Sequence, residues 1–291
     1  MSDEIKEKQF DILNRREVLK GLATVPVLGF FFVKFWKKMR LDKLKKSNLL
    51  QDLVKQKKAP AVVSSIGNND HIRVGIVGYG GRGSHLTRGL GFATPDWTKN
   101  ASERAQNNKL DKGFATFMSQ ENLNCSLVGV CDLFDVRAEL GLAASKNEVR
   151  SGGKPKETAK RYRHYTDLLA NKDIDAVIVS TPDHWHSRVA IDAAKAGKHV
   201  YCEKGLTRTF NEALDLYDTV KETGITFQLG HQNRQVEAYE QAKKIINQNL
   251  LGPINLVQLT TNRNSPGGAW VWGIHPEGNA KTIDWETFQE P

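Results

Sequence analysis

Gly78, Gly80 and Gly83, in the run Gly78-Tyr79-Gly80-Gly81-Arg82-Gly83, offer chemistry through bare backbone. In a G-x-G-x-x-G string the first glycine permits a tight turn, and the second lets backbone approach a pyrophosphate. The third lets the next helix pack on the preceding strand. Amides at that helix start then face the phosphates. These roles require an apolar strand before the glycines and a helix after them. Ile72 to Val77 has the strand pattern, and Ser84 to Gly91 is compatible with a helix. Tyr79, Gly81 and Arg82 fall inside the same cradle.

Such a cradle is completed by an acid at the end of the next strand, about 20 residues on, which binds the adenosine ribose hydroxyls. Here the acid comes late. Ser126 to Cys131 has strand form and leads to Asp132, behind a polar, helix-prone insertion from Thr94 to Asn124. Asp96 and Asp111 are nearer but follow no strand. A carboxylate at Asp132 repels a 2′-phosphate, which favours NAD over NADP, with Arg137 as the counter-argument.

The elements that must position these residues alternate. After a polar stretch from Ser145 to Lys160, His164 to Leu169 leads into Ala176 to Val179, an apolar run closed by Ser180-Thr181-Pro182. That reads as a central parallel strand buried on both faces. A helix over Trp185 to Ala196 stops at Gly197, and Lys198 to Cys202 is a strand that delivers Glu203 and Lys204. A helix over Thr209 to Thr223 stops at Gly224. A strand over Ile225 to Leu229 ends in Gly230-His231-Gln232-Asn233-Arg234, and a helix follows over Val236 to Asn249. This alternation predicts an α/β fold, a Rossmann-type doubly wound parallel sheet with function at the strand carboxyl ends. From Ile254 to Asn262 the pattern becomes an alternating strand, followed by a loop with Trp270, Trp272 and His275.

The bulk composition is that of a folded protein: 39% hydrophobic and 26% charged residues over 291 positions exclude collagen, coiled coil and mucin. The net charge of +9 would suggest a nucleic-acid partner if it were spread over the fold. Lys34 to Lys58 alone holds nine lysines and Arg40 against Asp42 and Asp52, so the remainder is nearly neutral and no nucleic-acid partner is expected. Cys125, Cys131 and Cys202 have neither disulfide nor zinc spacing and read as small buried hydrophobes; no metal site is expected.

The amino terminus reads as a targeting segment. Asn14-Arg15-Arg16-Glu17-Val18-Leu19-Lys20 precedes an apolar run from Gly21 to Val33, the order of a twin-arginine export leader. That run is short for a membrane span, and the basic block behind it opposes export under the positive-inside rule. The expectations are a periplasmic or membrane-anchored protein, or a cytoplasmic one held at the membrane by its basic block. Residues 1–69 are set aside as leader, 70–250 as the nucleotide-binding domain and 251–291 as the start of a second, α+β domain.

Four segments in order make the chain resemble the glucose-fructose oxidoreductase and inositol dehydrogenase family, Gfo/Idh/MocA. They are the glycine run, Thr181-Pro182-Asp183-His184-Trp185-His186, Ala196-Gly197-Lys198-His199-Val200-Tyr201-Cys202-Glu203-Lys204, and Gly230-His231-Gln232-Asn233-Arg234. The resemblance implies an NAD(P)-dependent oxidoreductase acting on a sugar, sugar alcohol or glycoside carbinol, with Lys204 near the nicotinamide and the hydroxyl being oxidised. An ammonium there polarises the substrate oxygen or, with a lowered pKa, moves a proton; the bland alternative is a salt bridge to Glu203. Gly205 stands where the family usually has proline.

Thr181, Pro182, His186 and Glu203 are expected at the cofactor, although His184 and His186 also suit a plain helix start. His231, Gln232 and Arg234 are expected to line the substrate pocket. Trp270 and Trp272 either stack on a sugar ring or simply pack. Alternatives to the dehydrogenase are an NAD-using glycosidase that oxidises and eliminates, resembling the N-acetylgalactosaminidase branch, and a non-catalytic nucleotide-binding protein at the membrane. The Asp or His that the family takes from a later helix has no match here, so a C-terminally truncated chain is expected. Relatives pair through their second-domain sheets, implying a homo-oligomer for the full-length parent.

Overall fold

In the computed structural model of the chain, residues 35–36, 38–39, 71–150, 158–232, 234, 236–259 and 273–289 are described. The chain divides into two compact units, Met1–Val63 and Ser64–Pro291. The second is built on six parallel strands: β1 (Ile72–Val77), β2 (Cys125–Cys131), β3 (Lys160–Tyr162), β4 (Ala176–Val179), β5 (His199–Glu203) and β6 (Phe227–Gly230). Their order, β3-β2-β1-β4-β5-β6, reverses direction between β1 and β4. In a doubly wound sheet that reversal opens a crevice at the strand carboxyl ends, where ligands bind.

Strand periodicity explains why the central strands are apolar throughout. Val177 and Val179 of β4 join one core cluster, with Leu168, Trp185, Val189 and Cys202. Ile178 joins the other, with Val74, Ile76, Tyr79 and Phe92. Successive side chains point to opposite faces, and here both faces are covered by helices.

Those helices are α1 (Gly81–Gly89), α2 (Pro95–Asn107), α3 (Gly113–Met118), α4 (Asp135–Ser145), α5 (Tyr165–Ala170), α6 (Asp183–Lys195), α7 (Phe210–Thr223), α8 (Glu237–Asn247) and α9 (Trp285–Gln289). Their ends follow local chemistry. Thr94 caps α2 through the Trp97 amide, Thr209 caps α7 through Glu212, and Gly224 ends α7 in the left-handed region at φ 65°. The polar insertion becomes α2 and α3, held together by Trp97 packed edge-on against Phe117.

Three differences from the sequence reading stand out. Helix α4 and strand β3 were not anticipated; β3 is three residues long with one buried side chain, too short to leave a periodic signal. The strand expected from Ile254 is absent over 254–259, where the chain is exposed and unpaired in any ladder, and 260–262 lie outside the described residues. An alternating pattern becomes a strand only beside another strand. Finally, 273–289 turns back onto the sheet: Phe134 and Ile283 form an antiparallel bridge. Among the described residues no helix is long and apolar enough to cross a membrane.

Candidate nucleotide-binding cleft and catalytic edge

The glycine run folds as a turn from β1 into α1, pinned by its neighbours on both sides. The Gly78 amide donates to the Cys131 carbonyl (2.8 Å), and Ser180 Oγ donates to the Gly78 carbonyl (2.6 Å). Gly78 has φ +90°, and a Cβ there would lie 2.7 Å from the Ser180 carbonyl oxygen. A Cβ on Gly83 would stand 2.2 Å from the Gly78 carbonyl oxygen. Side chains are therefore excluded at both positions, by backbone conformation at the first and by crowding at both. Gly80 and Gly81 have open space where a Cβ would stand, and no side chain caps the start of α1. The helix start is left with bare amides facing a cleft.

That cleft encloses about 580 Å³ and is lined by Gly78, Gly80, Gly81 and Arg82, by Asp132, Leu133 and Arg137 beyond β2, and by Ser180, Thr181, Pro182, Trp185 and Arg188 at β4 and α6. Asp132 belongs to that lining. Its carboxylate accepts from the Tyr79 amide (2.6 Å) and the Phe134 amide (2.9 Å). Burial pushes the Asp132 carboxyl above the usual carboxylate range, while those two backbone bonds pull against it. Thr181 Oγ1 is buried in the cleft wall without a hydrogen-bond partner.

An uncapped helix start, backbone without side chains beside it, an acid at the next strand end and an orphaned hydroxyl together fit a dinucleotide. The helix start suits the pyrophosphate and Asp132 the ribose hydroxyls. The Tyr79 ring is 2% exposed in the core and its amide is taken by Asp132, so its part is to hold that carboxylate in place.

The second half of the expected site lies at the ends of β5 and β6. Glu203 is buried and accepts from Arg82 Nε (2.7 Å) and the Tyr201 hydroxyl (3.1 Å). The salt bridge considered between Glu203 and Lys204 is replaced by this one, which ties the glycine loop to the strand that delivers the lysine. Lys204 itself is exposed, and the Lys204–Gly205 peptide is cis. Glu203 pairs in register with Gly230, so Lys204 and His231 leave adjoining strand ends. His231 and Gln232 line a second cavity of about 470 Å³ with Tyr201, Gln228, Leu229, Gly230 and Val236. Arg234 is exposed and outside that lining, and Trp270 and Trp272 lie outside the described residues.

His186 is placed differently from the expectation. It is 2% exposed and lines neither cavity; its Nδ1 donates to the Gly205 carbonyl (2.8 Å), which braces the loop after Lys204, and its Nε2 is buried without a hydrogen-bond partner. Its position at a helix start could not reveal that burial.

Lys198, six residues before Lys204, is the opposite case: buried, with Nζ donating to the Asn171 (2.7 Å) and Ile174 (2.8 Å) carbonyls. Burial lowers its pKa. Cys131 and Cys202 are buried and their thiols are pushed up to about 12, which keeps them protonated and unreactive. Among the described residues no cluster of His, Cys, Asp or Glu could hold a metal ion.

Sequence reasoning passed over Arg188, His164 and the pair Thr287 and Phe288, all of which line the cleft. Arg188 lies on the helix after β4, which it had placed, and His164 follows β3, which it had not. The pair is carried in from 273–289, and nothing in its local pattern names a docking site.

Comparison with known proteins agrees with this geometry. The Gfo/Idh/MocA pattern, an oxidoreductase family with an NAD-binding Rossmann fold, matches residues 72–231. A 2,7-anhydro-N-acetylneuraminate hydratase of Escherichia coli K12 is 32% identical over 123 residues, 42% of this chain and 30% of that protein. A levoglucosan dehydrogenase of Pseudarthrobacter phenanthrenivorans is 39% identical over 90 residues, 31% of this chain and 23% of its own. An NAD-dependent scyllo-inositol 2-dehydrogenase of Bacillus subtilis is 35% identical over 106 residues, 36% of this chain and 31% of its own. The chain thus aligns with less than a third of the length of these relatives. The matched span covers more than half of the chain and holds the glycine turn, Asp132, the β4 exit and Lys204, so the chain belongs to the Gfo/Idh/MocA oxidoreductase family and carries its NAD-binding Rossmann fold.

Proposed function

We propose that this chain is the nucleotide-binding part of an NAD-dependent oxidoreductase that acts at a carbinol carbon of a sugar, sugar alcohol or glycoside. The observation that carries the reading is the placement of Lys204 at the same sheet edge as the dinucleotide cleft, joined to it by the Arg82–Glu203 ion pair. Relatives named for levoglucosan and scyllo-inositol oxidation support a polyhydroxylated ring as substrate.

The nicotinamide, when bound, supplies the hydride acceptor. The chain's residues do the rest. The α1 amides hold the phosphates, Asp132 takes the adenosine ribose, and Lys204 Nζ polarises the substrate oxygen or receives its proton. His231 and Gln232, lining the adjoining cavity, present donors and acceptors to neighbouring hydroxyls.

In protein purified from its source, Lys204→Ala is expected to lose turnover on cyclic polyols and sugars, read as NADH formation, with NAD affinity retained. Wild-type turnover in that variant would overturn the role of Lys204. A wild-type protein that binds no NAD would overturn the whole reading.

The segment from Arg15 to Val33 supports an export leader of the twin-arginine kind, a route that carries folded proteins and so suits an enzyme loaded with its nucleotide before export. A fusion of residues 1–69 to a reporter that folds in the cytoplasm is expected to be exported, and Arg15→Lys with Arg16→Lys to block it. The same fusion found at the inner face of the membrane would favour anchoring by the basic block instead.

A further inference from the structure

We propose that the segment from Thr282 to Phe288 is a wall of the nucleotide cleft, with Phe288 the apolar contact for the adenine base. The inference rests on the nucleotide reading above and assigns a contact outside the strand-end motifs.

The segment is held on both sides of the crevice. On one side the Asp135 amide donates to the Thr282 carbonyl (2.9 Å) and the Asp284 amide to the Leu133 carbonyl (3.1 Å), at the exit of β2. On the other, the Phe288 carbonyl accepts from His184 Nε2 (2.8 Å) and Trp185 Nε1 (3.3 Å), both at the start of α6 beyond β4. The exits of β2 and β4 flank β1, so the segment crosses over the strand that ends in the glycine turn.

Between its anchors the segment is internally braced. The Asp284 carboxylate accepts from the Thr287 amide (3.0 Å) and the Thr287 hydroxyl (2.9 Å), and these bonds hold its carboxyl below the usual range. The bracing turns Thr287 and Phe288 to the cleft, whose lining they join. The Phe288 ring also meets the His184 imidazole edge-on, with centroids 5.5 Å apart.

The chemistry of this end of the cleft suits a flat, weakly polar ring. Leu133 and Phe288 offer apolar surface, Tyr165 a second aromatic ring and Arg188 a guanidinium, while Asp132 stands beside them for the ribose. An adenine base gains affinity here by burial and ring contact, and the strap makes a slot of what would be an open shelf.

The test compares NAD and AMP affinities, by calorimetry, in the full chain and in Phe288→Ala, Phe288→Leu and Glu286→Ala. Glu286 lies on the same helix but is exposed and outside the cleft lining. Phe288→Ala is expected to weaken NAD and AMP by the same factor, about tenfold, and Phe288→Leu by less. Glu286→Ala should leave both unchanged. AMP is also expected to slow amide exchange over 282–288.

Wild-type AMP affinity in Phe288→Ala, or a loss confined to NAD, would overturn the proposal. If Phe288→Ala melts early, Phe288→Leu decides, since it keeps most of the apolar bulk and removes only the ring; unchanged AMP affinity there would overturn it too. A wild-type chain that binds neither ligand would overturn the nucleotide reading itself.

Discussion

The two flanks of the sheet are finished to different degrees. Over β4 and β5, α6 buries seven residues, among them Trp185, Val189 and Ala193, and the carboxyl-terminal segment roofs the crevice at the exits of β2, β1 and β4. After β6, α8 is the more clearly two-faced helix by pattern and buries none: Tyr239, Ile245 and Ile246 are 60%, 40% and 49% exposed. An apolar stripe states that a face must be covered and is silent about what covers it. The cradle that holds a nucleotide is self-contained, whereas the edge that carries Lys204, His231 and Gln232 stays open among the described residues.

The sharpest way to break the contrast is to damage the finished flank. Gly83→Ala forces a Cβ into the Gly78 carbonyl oxygen, which cannot move without pulling on Ser180. Loss of nucleotide binding is expected, with a stability cost of about 1–3 kcal/mol from overpacking, read by calorimetry and a melt. Retained NAD affinity would show that the loop yields more easily than its bonds suggest.

Asp132→Asn tests the same flank more gently. Removing a charged acceptor from the ribose should cost about 1.5–3 kcal/mol of NAD binding. The pH dependence carries a sign. Hydroxyl donors favour the carboxylate, and burial has raised its pKa in the free protein. Affinity should therefore fall as pH drops through that raised value, starting above the ordinary carboxylate range, and the Asn variant should lose this limb.

Paired substitutions in the two helices compare the flanks directly. Val189→Ala in α6 removes buried methyls and should cost about 2 kcal/mol in a denaturant melt. Ile245→Glu in α8 should stay within about 0.5 kcal/mol, because it exchanges one exposed side chain for another. A large loss at Ile245 would show that the α8 face is covered after all.

The smallest effect lies at the amino ends of the strands, far from either site. Asp175 accepts from Arg73 through both carboxylate oxygens and is held below the usual carboxylate range chiefly by that side-chain pairing. A depressed carboxyl stabilises the fold above its unfolded value, and the contribution fades as pH falls through the folded one. Asp175→Asn should lower the melting temperature modestly at neutral pH, where the contribution is complete, and make the acid limb of a melting-versus-pH curve shallower, the two proteins converging at low pH.

How much of this was readable in advance varies by residue. The glycine turn, the late Asp132 and the strand delivering Glu203 and Lys204 were legible, because each depends on a pattern within a few residues of itself. Of the two lysines of one motif, Lys204 was read at the carboxyl end of its strand, whereas Lys198 at the amino end carried no signal of its fate. Only the fold decides that Lys198 is buried against the Asn171 and Ile174 carbonyls. His186 was left open for the same reason: a histidine at a helix start says nothing of which loop lies opposite, here the Gly205 carbonyl. Arg82 was read within the glycine turn and lines the cleft, yet its partner Glu203 is more than a hundred residues away and left no trace in that local pattern.

By itself the sequence determined the strand–turn–helix order, the parallel doubly wound class and the placing of its glycines, since backbone sterics and side-chain periodicity act locally. The tertiary structure decided which polar groups meet across the sheet and that a distant segment, Thr282 to Phe288, returns to roof the cleft. Such contacts depend on where two remote stretches lie in space, and a local pattern carries no record of that.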